Sequence, residues 1–222
     1  MVTVSLCMIV KNEEETLPRC LASVRGAVDE IIVVDTGSTD GTKRAAAGFG
    51  AKVFDFAWVD DFAAARNESF AHASGEYVLW LDADDILLPG DAARFLALRE
   101  TLAREPADAV MMPYHTGFDE QGRVTFGCRR ERLVRRACGF LWHEPVHEYL
   151  SVGGRVIPSD VCVTHTRAHT ATGRNLAIYE RLRASGETLT PRGMYYYARE
   201  LADNGRVRDA AEAFGRFLAD GR

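Results

Sequence analysis

Short apolar runs rich in β-branched residues recur through the first half of this chain, each followed by a stretch of helical spacing, and few folds accommodate that alternation. Val2 to Val10 reads as a buried strand, and Leu17, Leu21 and Val24 repeat at helical intervals over Glu13 to Val24. Ile31 to Val34 is a second buried strand ending at Asp35. Thr39-Asp40-Gly41 opens a helix through Ala47, which Gly48 and Gly50 end. Ala51 to Phe56 is a third strand, and Asp61 caps a helix to Ala73. Glu76 to Leu81 is a fourth strand, ending at Asp82. Pro89 and Asp91 start a helix to about Ala103, and Ala107 to Pro113 is a fifth strand. Strands joined by single helices pair in parallel, because the crossover returns each strand beside the last. The expected fold is α/β: a Rossmann-like, mostly parallel sheet flanked by helices. A chain of 222 residues, 47% hydrophobic, has material for one sizeable core, or a core with an appendage.

The pattern changes after Tyr114. Gly122 to Phe126 and Leu133 to Arg136 read as hairpin strands, and Val146 to Val152 and Val161 to Thr166 as short strand-like pieces. From Asn175 the chain turns helical, with a boundary near Ala171 to Arg174. Met194, Tyr197, Ala198 and Leu201, then Ala210, Phe214 and Phe217 across a turn at Asn204-Gly205, follow tetratricopeptide spacing. One such unit cannot bury its own face, so it packs on the α/β domain, on further repeats or on a second chain; homo-oligomerisation through these helices is one outcome, and an ordinary helical hairpin finishing the core is another.

Two strands end in carboxylates: Asp35, and the cluster Asp82-Ala83-Asp84-Asp85. Ligands of open parallel sheets bind beyond the carboxyl ends of the strands, so these acids line one crevice. Asp82 and Asp84 can hold a hard cation through oxygen and leave sites for phosphate, although strand-end aspartates also serve simply to cap turns. Asp35-Thr36-Gly37-Ser38-Thr39-Asp40-Gly41-Thr42 is a polar turn whose backbone can approach a ligand; it is neither a dinucleotide fingerprint nor a Walker loop. Arg66, among alanines on a helix, points either to the crevice or to solvent.

A net charge of -5 argues against nucleic acid as a partner. Five cysteines without a CxxC spacing argue against a zinc site or disulfide framework and fit a reducing compartment; Cys128, Cys138 and Cys162, with no base partner at a readable spacing, read as core residues. The first apolar run is too short to span a membrane and carries no cleavage pattern, so a cytoplasmic protein is expected, with peripheral membrane contact left open. His143-Glu144-x-x-His147 has the spacing of zinc proteases, but that motif needs a helix, and Pro145 inside one costs about 3 kcal/mol.

The four blocks Ser5 to Glu14, Asp29 to Thr42, Ala65-Arg66-Asn67 and Leu79 to Asp85, in this order and spacing, resemble the family 2 glycosyltransferases of GT-A fold, in particular the branch of bacteriocin S-glycosyltransferases and lipopolysaccharide-core sugar transferases. Where many relatives carry a second acid, Thr36 stands here, as is common in that branch. The resemblance implies an inverting transfer from a nucleotide-sugar, with UDP the expected nucleotide. It sets Val10, Lys11 and Glu13 beside the base, Asp35 as its acceptor, Arg66 against the nucleotide, Asp82 and Ala83 near the ribose or metal, and Asp84 as ligand of Mn²⁺ or Mg²⁺. Several such enzymes take a late histidine as third ligand, which falls on His165, itself also readable as structural. Val146-His147-Glu148 resembles a block of the same branch; Glu148 is then the general base, with His147 beside it and Glu144 in reserve, unless Glu148 merely pairs with one of Arg129 to Arg136. The implied division is 1–113 for the nucleotide-sugar half, 114–171 for the acceptor and catalytic half, and 172–222 for the helices. The acceptor, whether peptide, glycan or lipid-linked sugar, is not specified. Two alternatives stand beside this: a nucleotidyltransferase, which would usually show a basic glycine-rich loop that Val10 to Glu15 lacks, and a binding module with a vestigial site, against which the intact Asp35, Asp82, Asp84 and Glu148 speak.

Overall fold

The computed structural model describes residues 1–166 and 173–220. Its elements run β1 (Val4–Val10), α1 (Leu17–Ser23), β2 (Glu30–Asp35), α2 (Thr42–Gly48), β3 (Lys52–Asp55), α3 (Phe62–Ala71), β4 (Tyr77–Trp80), β5 (Asp85–Ile86), α4 (Pro89–Arg104), β6 (Ala109–Phe118), β7 (Val124–Arg135), β8 (Trp142–His143), β9 (Tyr149–Leu150), β10 (Val156–Pro158), β11 (Val163–His165), α5 (Arg174–Ala184), α6 (Pro191–Asp203) and α7 (Val207–Asp220). The described residues of Met1–Val59, Ala64–Trp142 and Leu150–Ala168 form one compact unit, and those of Asp60–Ala63, His143–Tyr149 and His169–Arg222 a second. The expected boundary between 171 and 172 lies outside the described residues.

In the first unit the sheet order is β3-β2-β1-β4-β7-β6-β11-β5, with β10 on β6. The first four strands are parallel, as the alternation requires. β1 is their centre, and nearly every side chain on both its faces is buried, which is why Val2 to Val10 reads as an unbroken apolar run rather than an alternating one. Arg99 of α4, itself buried, closes the near end of the sheet by donating to the carbonyls of Val2 and Ala27 and to the Asp29 carboxylate.

β7 lies antiparallel between β4 and β6. The two hairpin strands expected at Gly122 to Phe126 and Leu133 to Arg136 are this one strand, and the fifth expected strand continues five residues past Pro113, to Phe118, to pair with it. The charged run Arg129 to Arg132 masked that continuity, since only one of its residues, Arg132, is wholly buried. Of Val146 to Val152 only Tyr149–Leu150 is strand, because the loop before it twists through left-handed backbone at Glu144 and His147. Among the described residues no helix is long and apolar enough to cross a membrane.

The second unit contains the three C-terminal helices. Thr190 caps α6 by accepting from the amide of Gly193, and Pro191 follows it in the first turn. Tyr197, Ala198 and Leu201 of α6 and Ala210 of α7 are buried, while the rings of Phe214 and Phe217 meet Tyr195. Gly205 supplies the positive φ (76°) that the turn between α6 and α7 needs.

Candidate functional site

Asp35 ends β2 and the Asp82 to Asp85 turn follows β4, the two strands that flank β1. Their carriers therefore run about 10 Å apart, two strand spacings, and end on the same side of the sheet. The Asp35 carboxyl is buried; its Oδ1 accepts from the amides of Gly37 (3.0 Å) and Ser38 (2.8 Å). Its Oδ2 is buried with no hydrogen-bond partner among the described residues. A buried acceptor without a donor is costly, and an N–H brought to it would relieve that cost. The turn beyond Asp35 is tied to the end of β1. Asn12, at φ 57°, donates its amide to the Ser38 hydroxyl (2.8 Å) and accepts from the Thr39 amide (2.8 Å), and the Glu13 amide donates to the Thr42 hydroxyl (2.7 Å). Thus Val10, buried, and Lys11, exposed, border the same turn.

The acidic cluster separates into three different carboxylates. Asp82 pairs with Arg66 (2.9 Å), whose guanidinium lies between the rings of Trp80 (5.2 Å) and Trp142 (4.8 Å). Burial works against ionisation of Asp82, but Arg66, Arg132 and Arg130 outweigh it and hold its carboxyl at about 2. Asp84 faces His165 Nδ1 at 3.4 Å. Burial raises the Asp84 carboxyl, with Asp82 and Asp85 adding to the rise against the pull of His165. Asp85 is wholly buried and pairs with the equally buried Arg132 (2.9 Å). It also accepts from the Tyr114 hydroxyl (3.0 Å) and the Asp82 amide (3.0 Å) and lies 3.3 Å from His165 Nδ1. The hydrogen bond to Asp85 raises the His165 pKa; burial opposes it and Asp84 reinforces it. Thr166 fastens β11 to the turn, its amide (2.8 Å) and hydroxyl (2.7 Å) both donating to the Asp84 carbonyl.

Ligand atoms of Asp84, Asp85 and His165 lie within 4.8 Å of one another. Two carboxylate oxygens and an imidazole nitrogen suit a divalent cation of the Mn²⁺ kind. The structure brings Asp84 and His165 together and adds Asp85. Asp82 is outside that group, its carboxylate held by Arg66, and Ala83 is buried between them. Arg132, Tyr114 and the part played by Asp85 escape sequence reading: Tyr114 lies one residue past the expected end of its strand, and nothing in Arg129 to Arg132 marks which arginine turns inward.

Glu144, His147 and Glu148 belong to the second unit. Glu144 (φ 71°) and His147 (φ 54°) are not helical, so the zinc-protease arrangement is absent, in keeping with Pro145. His147 Nε2 is bonded to Glu200 (2.7 Å), and Glu148 is half-buried beside it. Cys128 and Cys138 are exposed, on β7 and in the turn after it, which corrects the reading of them as core residues; Cys162 is buried, with His115 Nδ1 at 3.1 Å.

Comparison with known proteins supplies the family. The sequence profile described as Glycosyl transferase family 2 matches residues 5–151. A TPR repeat-containing protein of Synechococcus elongatus is 43% identical over 155 residues, covering 67% of this chain and 35% of the relative. The SPbeta prophage-derived glycosyltransferase SunS of Bacillus subtilis is 27% identical over 213 residues, covering 90% of this chain and 49% of SunS. The chain thus spans between a third and a half of these relatives' lengths. Among solved structures, S. aureus TarS 1-349 in complex with UDP-GlcNAc superposes with a TM-score of 0.61 at 16% identity, over 90% of this chain and 66% of that one. Glucosyl-3-phosphoglycerate synthase from Mycobacterium tuberculosis in complex with Mn²⁺, UDP-glucose and phosphoglyceric acid gives 0.58 at 20% identity, over 86% and 82%. These likenesses show the GT-A fold. With the profile match spanning most of the sheet and both acidic turns, the chain belongs to glycosyl transferase family 2.

Proposed function

We propose that this protein transfers a sugar, with inversion, from a UDP-sugar to a hydroxyl or thiol of a peptide, glycan or lipid-linked acceptor, assisted by Mn²⁺ or Mg²⁺. The observation that carries this reading is the pair of unlike carboxylate sites on either side of β1: Asp35 with a buried, unpartnered acceptor, and Asp84 with Asp85 and His165 in a ligand-like triangle. Asp35 Oδ2 takes the N3–H of uracil, beside Val10, Lys11 and Glu13. Asp82, kept ionised by Arg66, faces the ribose. Asp84 and His165 would hold the cation, which when bound would supply positive charge to the diphosphate. Glu148 is the base. It accepts the acceptor's proton as the new bond to the sugar's anomeric carbon forms and the bond to the UDP oxygen breaks. The division of labour follows the chain, with residues 1–113 for the donor, 114–171 for the acceptor and 172–222 as a tetratricopeptide-like support.

Titration calorimetry of UDP with and without Mn²⁺ tests this. UDP binding depends on the metal in the natural chain, and Asp84→Ala removes that dependence. Equal UDP affinity with and without metal would sink the metal role. Glu148→Gln keeps UDP binding and loses transfer; unchanged turnover moves the base elsewhere.

A further inference from the structure

The loop that carries Glu148 is held in an unfavourable backbone shape, and most of the holding groups come from the C-terminal helices and the residue that caps α6. Within His143–Tyr149, Glu144 and His147 both adopt positive φ (71° and 54°), a region that residues with a Cβ rarely enter. Such backbone persists only where its surroundings impose it, and it is a common mark of functional loops. Here the second unit imposes it from several sides. The Thr190 hydroxyl donates to Glu144 Oε1 (2.5 Å). Tyr179 donates to the Val146 carbonyl (3.3 Å), and the Phe62 amide to that of Pro145 (2.9 Å). Three groups then converge on His147. Its Nε2 is bonded to Glu200 Oε1 (2.7 Å), its ring lies on Tyr196 (centroids 4.2 Å, planes 18° apart), and its carbonyl accepts from Arg192 (3.1 Å). Glu200 is itself fixed by Asn175, which donates to the same oxygen (3.0 Å). A carboxylate acceptor places the proton on Nε2.

Ring face, ring N–H and carbonyl of one residue are thus all occupied, and that residue adjoins Glu148. We propose that Glu200 and Tyr196 of α6 are positioning residues for sugar transfer: by fixing His147 they set the direction of the Glu148 carboxylate. The inference rests on Glu148 being the base. It gives α6 a part in the chemistry, and it gives His147 the role of anchor.

The test is UDP release from a panel of UDP-sugars by the full chain, with Mn²⁺-dependent UDP affinity measured in parallel. Glu200→Ala lowers kcat by about 10²-fold, the scale of a misdirected catalytic group, with donor KM and UDP affinity unchanged. Glu200→Gln, whose amide oxygen still accepts from Nε2, recovers most of the loss. In a Glu148→Gln background, compared on its residual turnover, Glu200→Ala causes no further fall, because there is no base left to aim. If Glu148→Gln cuts turnover to a small residual rate but Glu200→Ala leaves kcat intact, the positioning role is wrong and the base stands. An equal further fall in the Glu148→Gln background reduces Glu200 to a scaffold residue and overturns the proposal. Undiminished turnover by Glu148→Gln overturns the base, and the proposal with it.

Discussion

Arg132 Nη1 and Asp85 Oδ2 are 2.9 Å apart, and both side chains are completely buried. The guanidinium lies between the faces of Trp80 (3.8 Å) and Tyr114 (4.2 Å), and its Nε and Nη2 have no hydrogen-bond partner among the described residues. An arginine in such a place is tolerated for its charge, since Asp85 alone in the interior would be far costlier. Arg132→Met therefore leaves that carboxylate uncompensated and destabilises the protein by about 3–5 kcal/mol. Arg132→Met with Asp85→Asn removes both charges and recovers a large part of the loss. Urea denaturation of the two variants measures this; a double variant no more stable than the single one would contradict it.

Asp35 makes a second prediction. Its Oδ2 is an acceptor awaiting a donor, and in Asp35→Asn an amide can turn a donor toward the same place. UDP affinity falls by about 10–100-fold, the size of one buried hydrogen bond to a charged group, and discrimination between UDP and CDP narrows. Calorimetric titration of both nucleotides reads it, and an unaltered UDP-to-CDP ratio counts against contact with the base.

A third concerns acid stability, at the other end of the strands. Glu30 accepts from the Ser5 hydroxyl (2.5 Å), the Ser74 amide (2.9 Å) and Lys52 (2.7 Å). Burial disfavours its charge, but Lys52, Ser5 and Ser74 together lower its pKa from 4.5 to about 2. A folded-state pKa below the unfolded one stabilises the fold fully above the unfolded value, and that stabilisation disappears as pH falls from 4.5 toward 2. Glu30→Gln flattens this part of the stability curve and weakens the protein at neutral pH. Chemical melts between pH 2 and pH 7 check it; parallel curves for the two proteins would exclude the contribution.

The sheet was legible because its strands are buried on both faces, so β1, β2 and β4 leave continuous apolar runs, and Asp35 and Asp82 were legible because they stand where those runs stop. β7 was obscured because a long antiparallel strand with one exposed end shows neither a run nor a clean alternation. The geometry of the acidic turn was harder still. Which of Asp82, Asp84 and Asp85 faces His165 depends on the turn at Ala83 and on where Arg66 and Arg132 reach, and both arginines come from elements distant in sequence. The positive φ at Glu144 and His147 follows from neighbours on α6, which no local signal records.

Trp80 touches the guanidiniums of Arg66, Arg130 and Arg132 and meets Trp142 edge to face at 4.7 Å. Indole emission responds to nearby charge, and one of those arginines is the partner of Asp82. The protein thus carries an internal optical gauge beside Asp82: a rearrangement of the Arg66–Asp82 pair alters tryptophan emission without any label, and because Arg66 also lies over Trp142, Trp80→Phe and Trp142→Phe divide the signal between the two indoles.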